Sequence, residues 1–165
     1  MLFLLDANVL IDANRDYYSI DRVPEFWDWL EYKGNGGEVK IPIEMYEEIA
    51  EGNDNLGNWT KRPDIERAIL LDEDVEESLV EKVIKEGYAS DLTDVEVEKI
   101  GRDPFLIAYG LQDIEERRIV TTEVSKLTKI RANRHIPDVC DDFGLLAINT
   151  FEFIRALNFT TSWNS

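Results

Sequence analysis

A chain of 165 residues, 44% of them hydrophobic, is long enough for one domain with a sizeable core. Its 35 acidic and 18 basic residues give a net charge of −17, which argues against passive binding to nucleic acids or to anionic membranes. One cysteine and one histidine, Cys140 and His135, are too few for a structural zinc site, so any metal would be held mostly by oxygen. No apolar run approaches the roughly 18 residues of a membrane helix, and no signal peptide is recognisable, so we expect a cytoplasmic protein that has no membrane partner.

Short apolar runs alternate with amphipathic segments along the chain. In its first part we predict a buried strand at residues 2–5, a helix at residues 23–37 and a strand at residues 38–43. A helix at residues 44–52 and a polar loop at residues 53–64 follow. In its second part we predict two or three acidic helical segments at residues 65–100 and a helix at residues 103–113. A strand at residues 117–123 follows, and residues 145–157 form a last strand and then a helix. Asp103 is the expected N-cap of its helix, and Asn149 with Glu152 forms an expected capping box.

This order of elements predicts an α/β fold in three layers, in which a mainly parallel central sheet carries helices on both faces. The sequence shows no internal repeat, no low-complexity tract and no boundary between domains. We therefore expect a single domain over residues 1–165, in which residues 53–100 form a helical insertion.

Acidic residues stand where the predicted strands end. Asp6 ends the first strand, the glutamates of residues 44–48 follow the second, and Glu123 ends the "RIVTT" strand. Asp103 begins a helix that is expected to face the same edge. Because ligands bind outside the carboxyl ends of parallel strands, these carboxylates are expected to converge. Converging carboxylates repel one another unless cations neutralise them, and an all-oxygen site suits Mg²⁺ or Mn²⁺.

Each of these acids has an alternative role that the sequence leaves open. Asp6 and Asp103 are also placed to cap a turn or a helix, and Glu123 is placed to end a solvated strand. Glu47 and Glu48 are tied as candidates, because they flank the apolar face of their helix at similar angles on opposite sides.

The stretches that hold these acids resemble the successive motifs of PIN-domain nucleases. They read "FLLDANVLI", "YEEIAEG", "DPFLIAYG" and "IVTTE", and they follow the order of that family over nearly the whole chain. The stretch "HIPDVCDDFGLLAINTFEFIR", residues 135–155, further resembles a toxin-like branch whose tail reads I-P-D-V-C before the last strand. Glu123 stands where many relatives have aspartate, and residues 53–100 are long for a compact member of the family.

This resemblance implies a PIN-like fold and a Mg²⁺- or Mn²⁺-dependent endoribonuclease that is the toxin of a toxin–antitoxin pair. The metal ligands and catalytic residues that it implies are Asp6, Glu48, Asp103 and Glu123, so it chooses Glu48 over Glu47. Asn8 and Thr121 would support them, by holding the first loop and by hydrogen bonding near the acids. The implied partners are an RNA substrate, an antitoxin protein and a second copy of the chain in a homodimer.

A concentrated positive charge follows Glu123. The segment between Glu123 and Asp138 contains no acid and four basic residues, which are Lys126, Lys129, Arg131 and Arg134. We expect this segment to guide the RNA backbone toward a surface that otherwise repels it, and the alternative is a solvated surface loop.

Two other functions stay open on the sequence. A receiver or phosphohydrolase-type domain would use "AILLDED", residues 68–74, as a strand that ends at an acceptor Asp72, although the remaining motifs of those classes fit poorly. A catalytically inactive PIN-like module would instead use the net charge of −17 to bind a basic protein partner.

Overall fold

The computed structural model describes residues 1–165, and its strands form one parallel sheet. The strands lie in the order β2-β1-β3-β4. Their bounds are β1 (Leu2–Leu5), β2 (Val39–Lys40), β3 (Arg117–Val120) and β4 (Ala147–Ile148). Helices surround this sheet, so the predicted α/β class with a parallel central sheet is confirmed, and the arrangement is consistent with a three-layer PIN-like fold.

Ten α-helices connect and follow the strands. They are α1 (Ala7–Asp12), α2 (Pro24–Asn35), α3 (Ile43–Ala50), α4 (Asn55–Thr60), α5 (Pro63–Ile69), α6 (Glu77–Lys82), α7 (Asp94–Ile100), α8 (Asp103–Leu111), α9 (Ile136–Asp142) and α10 (Thr150–Ala156). π-helical turns extend α1 to Tyr17 and α6 to Tyr88, and a 3₁₀ turn covers Arg131–Asn133. None of these helices has the length and the apolar character that crossing a membrane requires.

The unbroken apolar run of β1 follows from its place inside the sheet. β1 pairs with β2 on one side and with β3 on the other, and Leu4 and Leu5 are 0% exposed. A strand that is covered on both faces carries apolar residues at every position instead of at alternate ones. The predicted helix of residues 23–37 packs nearby, because Trp27 and Trp29 of α2 are each 1% exposed in the same core.

The helices of residues 53–100 belong to the same hydrophobic core as the sheet. Ile65, Val83 and Ile100 come from α5, from the π turn after α6 and from α7, and all three are buried in that core. Most acidic residues of these segments are exposed to solvent, which explains why the sequence of the region is so strongly charged. The predicted helical character of residues 65–100 is confirmed.

The polar stretch of residues 53–64 is not the predicted loop. Asp54 accepts a hydrogen bond of 2.9 Å from the Gly57 N–H and thereby caps α4. Leu56 and Trp59 are the buried anchors of this short helix. Since its other residues are mostly polar, the apolar period is too brief to be recognised in the sequence.

The stretch of residues 68–74 does not form the strand that a receiver-type domain would need. α5 continues to Ile69, and only Leu70 makes an isolated parallel bridge, which joins it to Ile41. Asp72 therefore does not follow a strand of the sheet, and the structure contradicts its predicted place as a phosphoacceptor at a strand end.

The contact between α2 and α5 gives a prediction about stability. A Cβ atom added at Gly34 would lie 2.5 Å from the backbone oxygen of Ala68, so Gly34→Ala should separate the two helices and destabilise the protein by about 1–3 kcal/mol. At Gly36 the nearest atom would lie at 3.5 Å, so Gly36→Ala is the matched control. Urea denaturation measures the stability of both variants. Equal unfolding midpoints for the two variants would show that α2 and α5 do not approach closely at Gly34.

Candidate active site

The carboxyl ends of β1 and β3 flank the point where the strand order reverses. The chain leaves β1 for β2 on one side, and β3 later joins β1 on its other side. In open parallel sheets this reversal opens a crevice where ligands bind. Asp6 follows β1 directly, while Thr121 and Glu123 follow β3, so the topology brings these three residues to the crevice.

A chain of hydrogen bonds joins the two strand ends. The Asp6 N–H donates to the Val120 carbonyl at 2.9 Å, which sets Asp6 beside Thr121. Thr121 Oγ1 donates to Asp6 Oδ2 at 3.0 Å and accepts from the Glu123 N–H at 3.2 Å. Asp6 occupies the N-cap position of α1, but its side chain makes no cap hydrogen bond. The carboxylate is therefore turned toward Thr121, and its alternative role as a helix cap is wrong.

Asp103 does not cap its helix as predicted. It is the first residue of α8, the N-cap is Arg102, and no side chain makes a cap hydrogen bond there. The side chain instead faces the other acids. Burial raises the pKa of the Asp103 carboxyl to about 8, and the charges of Asp6, Glu123 and Glu48 contribute to the rise in that order.

Asp6 is the most deeply buried of the four acids. It is 6% exposed, and burial is the main reason why its carboxyl pKa rises to about 6. The hydrogen bond from Thr121 opposes this rise, and the charges of Glu123 and Glu48 add to it. The charges of Glu123 and Glu48 thus act on both Asp6 and Asp103, which brings together carboxyl groups from four different elements.

The structure separates Glu48 from Glu47. Glu47 forms an ion pair with Arg102, with Nη1 and Oε2 at 3.2 Å. The charge of Glu48 acts on Asp6 and on Asp103, so this side chain faces the cluster. Partial desolvation raises the pKa of the Glu48 carboxyl, although Arg102 opposes the rise. The helical wheel alone could not make this choice, because it does not show which flank of α3 meets α8.

Glu123 is held by the start of α9. Its Oε2 accepts a hydrogen bond of 2.6 Å from the Ile136 N–H. A cavity of about 310 Å³ opens beside Asp103 and Glu123, and its other charged lining residues are Lys99, Lys129 and Arg134. Positive charge is therefore available at the mouth of an acidic site, which an anionic ligand would need.

The predicted basic segment divides into two kinds of residue. Arg131 forms ion pairs with Asp91 at 2.8 Å and with Glu96 at 3.0 Å, and Arg134 pairs with Asp142 at 2.6 Å. Lys126 and Lys129 are exposed to solvent. The two arginines thus fasten the segment to its surroundings, and the two lysines are the freer candidates for binding RNA.

Some residues around the site were not predicted from the sequence. Asp138, which is 5% exposed, accepts hydrogen bonds from the Ser125 hydroxyl and, at 2.8 Å, from the Lys126 N–H. Burial opposes the effect of these bonds, yet the pKa of the Asp138 carboxyl is lowered. The I-P-D-V-C motif was the available signal, since its aspartate anchors the basic segment. Asn8 is exposed in the first turn of α1, and its supporting role stays a prediction.

The side chains as they lie do not form a closed coordination set, since no group of three or more His, Cys, Asp or Glu residues is arranged to hold a metal. The donor chemistry nevertheless suits a hard cation, because Asp6, Glu48, Asp103 and Glu123 supply only carboxylate oxygens. The pKa values of Asp6 and Asp103 are raised, so ionising these two carboxyl groups is costly in the metal-free protein. A divalent cation would remove that cost and draw the groups together.

Fold and site together define an α/β protein with an acidic cluster at the reversal of its parallel sheet. Residues 3–161 match the family model described as "Domain of unknown function (DUF4411)", and the chain therefore belongs to this family. No curated protein and no solved structure matches the sequence.

Proposed function

We propose that this DUF4411 protein is a Mg²⁺- or Mn²⁺-dependent endoribonuclease with a PIN-like active site. The observation that supports the proposal best is the convergence of Asp6, Glu48, Asp103 and Glu123 from four separate elements, since the charges of the other three raise the pKa of Asp103 and those of Glu123 and Glu48 raise the pKa of Asp6. Buried groups with strongly shifted pKa values concentrate at functional sites.

Each acid has a role in this proposal. Asp6, Glu48 and Asp103 would hold the cation, and Glu123 would hold a second ion or position the attacking water. When bound, the cation supplies Lewis-acid polarisation of a phosphoryl oxygen and lowers the pKa of water. Thr121 orients Asp6 by its hydrogen bond of 3.0 Å, and the Ile136 N–H orients Glu123. No protein nucleophile is needed.

The RNA backbone would enter from the side of the cavity that carries Lys99 and Lys129. Lys126 extends this positive surface along the loop. A local positive surface is required, because the net charge of −17 repels a polyanion from the rest of the molecule. We further propose that the enzyme acts in the cytoplasm as the toxin of a toxin–antitoxin pair, with an antitoxin covering the acidic site, and that it forms a homodimer.

The direct test is an RNA cleavage assay on the full chain. We expect a labelled RNA of mixed sequence to be cut with Mn²⁺ or Mg²⁺, to stay intact with EDTA, and to be cut again when excess Mn²⁺ is restored. Cleavage that survives EDTA would point to a contaminating ribonuclease. An intact RNA under every metal condition would contradict the proposed activity.

A catalytically inactive module that binds a basic protein is the second candidate. The net charge of −17 favours it, as does Glu123, one of whose carboxylate oxygens is already engaged by the Ile136 N–H. Calorimetry with Mn²⁺ separates the two candidates, since the nuclease requires metal binding and the inactive module does not.

The two glutamates of α3 offer a matched pair of variants. Glu48→Gln should lower Mn²⁺-dependent cleavage by more than about 100-fold, because it removes a proposed metal ligand whose charge acts on Asp6 and Asp103. Glu47→Gln removes the same charge from the neighbouring position, where it pairs with Arg102, and should leave cleavage nearly unchanged. Initial rates at saturating Mn²⁺ measure both effects. Equal losses in the two variants would argue against a specific role for Glu48.

A further inference from the structure

Tyr88 presents a buried hydroxyl group that no other protein group satisfies. The residue ends the π-helical turn after α6 and is 7% exposed. Its Oη is buried and has no hydrogen-bond partner in the protein. An unpaired buried hydroxyl costs about 1–3 kcal/mol, so its retention calls for a partner from outside the chain.

The surroundings of this hydroxyl identify the kind of partner. Burial and then the charges of Asp103 and Glu123 raise the pKa of the Tyr88 hydroxyl, with a smaller contribution from Cys140. The phenol therefore keeps its proton and is a hydrogen-bond donor. The turn that carries it packs against α8, which begins at Asp103, and against α9, whose first N–H binds Glu123. Neither carboxylate lies within hydrogen-bonding distance of Oη, so a bridging water is the kind of partner that would satisfy the hydroxyl.

The backbone holds Tyr88 firmly in this position. The Ala89 N–H donates to the Ile84 carbonyl at 3.0 Å, a π-helical bond that sets the direction of the last turn. Gly87 lies so close to α9 that an added Cβ would be 2.6 Å from Val139 Cγ1. Arg134 donates to the Gly87 carbonyl at 2.6 Å. The turn is thus fastened to α9, which also orients Glu123.

We propose that Tyr88 is a positioning residue of the acidic site, and that its hydroxyl donates a hydrogen bond to a water ligand of a divalent cation held near Asp103 and Glu123. This inference rests on the metal site of the proposed function. In this proposal the long segment of residues 53–100 supplies the site with a neutral hydrogen-bond donor, which the four acids do not provide. A neutral hydrogen-bond donor orients a bound water without adding charge to a group of carboxylates that already repel one another.

The test compares Tyr88→Phe with the wild-type full chain by calorimetry with Mn²⁺ alone. We expect about tenfold weaker Mn²⁺ binding, the typical effect of removing a hydrogen bond to a metal ligand. The metal-free variant should unfold at the same temperature as the wild type or higher, because it loses an unsatisfied buried hydroxyl. A purely structural role would lower the unfolding temperature instead. Tyr109→Phe is the control: this tyrosine of α8 is 1% exposed, its hydroxyl approaches Glu44, and its loss should leave Mn²⁺ binding unchanged.

The outcomes separate this inference from the proposed function. Unchanged Mn²⁺ affinity in Tyr88→Phe overturns the role of Tyr88, whether or not the wild type cleaves RNA. Weaker affinity in Tyr88→Phe alone, in a protein that does not cleave RNA, supports the role of Tyr88 and overturns the ribonuclease. A wild type that binds no Mn²⁺ overturns both.

Discussion

Asp6→Asn should abolish metal-dependent RNA cleavage and leave the protein folded. Asp6 lies between the ends of β1 and β3, and its charge acts on Asp103. The amide oxygen of Asn can still accept the hydrogen bond from Thr121, so the packing is preserved while the charge is lost. Removing a group that only contacts a metal ligand typically lowers activity by about 10–100-fold. Removing a direct ligand should therefore lower the cleavage rate by more than about 100-fold. Initial cleavage rates in Mn²⁺ measure the effect.

Asp12→Asn provides the control for this variant. Asp12 lies at the end of the same helix, α1, where it pairs with Arg15 at 3.1 Å, and its charge is not among the causes that shift the pKa of Asp6 or Asp103. Its replacement removes an equal charge and should preserve cleavage. Full activity in Asp6→Asn would rule out the assignment of this site, provided that circular dichroism shows a folded protein.

Asp103→Asn should stabilise the metal-free protein, and the gain should grow with pH. The pKa of Asp103 is raised from 3.8 to about 8, so the folded protein binds the proton more tightly than the unfolded chain does. The stability of the wild type therefore falls as the pH rises between these two values. From pH 5 to pH 8 the free energy of unfolding of the wild type falls by at most about 4 kcal/mol for this reason. The Asp103→Asn variant has no titratable group at this position, so its stability does not fall in this way.

Thermal unfolding in EDTA at pH 5 and at pH 8 measures this effect. We expect the variant to gain several degrees more over the wild type at pH 8 than at pH 5. Asp113→Asn is the control, since Asp113 is exposed just after α8 and its replacement should not change the profile. Added Mn²⁺ should raise the unfolding temperature of the wild type at pH 8 by relieving the same repulsion. A gain that does not depend on pH would show that Asp103 is not held in an acidic, buried environment.

The strands and the main helices were predictable because their apolar residues form either short unbroken runs or a clear helical repeat. β1 is an unbroken apolar run, and Asn149 with Glu152 forms the predicted capping box at the start of α10. The short helix α4 was missed, since Leu56 and Trp59 are its only clear apolar markers. β2 and β4 are each two residues long, shorter than predicted, because the flanking residues leave the sheet to begin the next helices.

The assignment of caps needed the structure. Asp6 and Asp103 both stand at helix starts, where aspartate usually caps. Neither makes a cap hydrogen bond, since the Asp6 carboxylate accepts from Thr121 and the Asp103 carboxyl lies where the charges of the other three acids act on it. A cap is a local feature that any suitable sequence allows, whereas the competing contacts join residues far apart in the sequence, such as Asp6 and Thr121, which are 115 positions apart.

The amino-acid sequence was enough to predict that acids follow the strands, that the central sheet is mainly parallel, and that positive charge is concentrated after Glu123. These properties depend on local periodicity and composition, which can be read without coordinates. The packing of distant segments was needed to place the charge of Glu48, and not that of Glu47, where it acts on Asp6 and Asp103. It was also needed to show that Arg131 and Arg134 are engaged in ion pairs and that the Tyr88 hydroxyl is buried without a partner. Each of these depends on how separate helices meet, and packing between distant segments fixes side-chain direction in a way that the period of one segment does not.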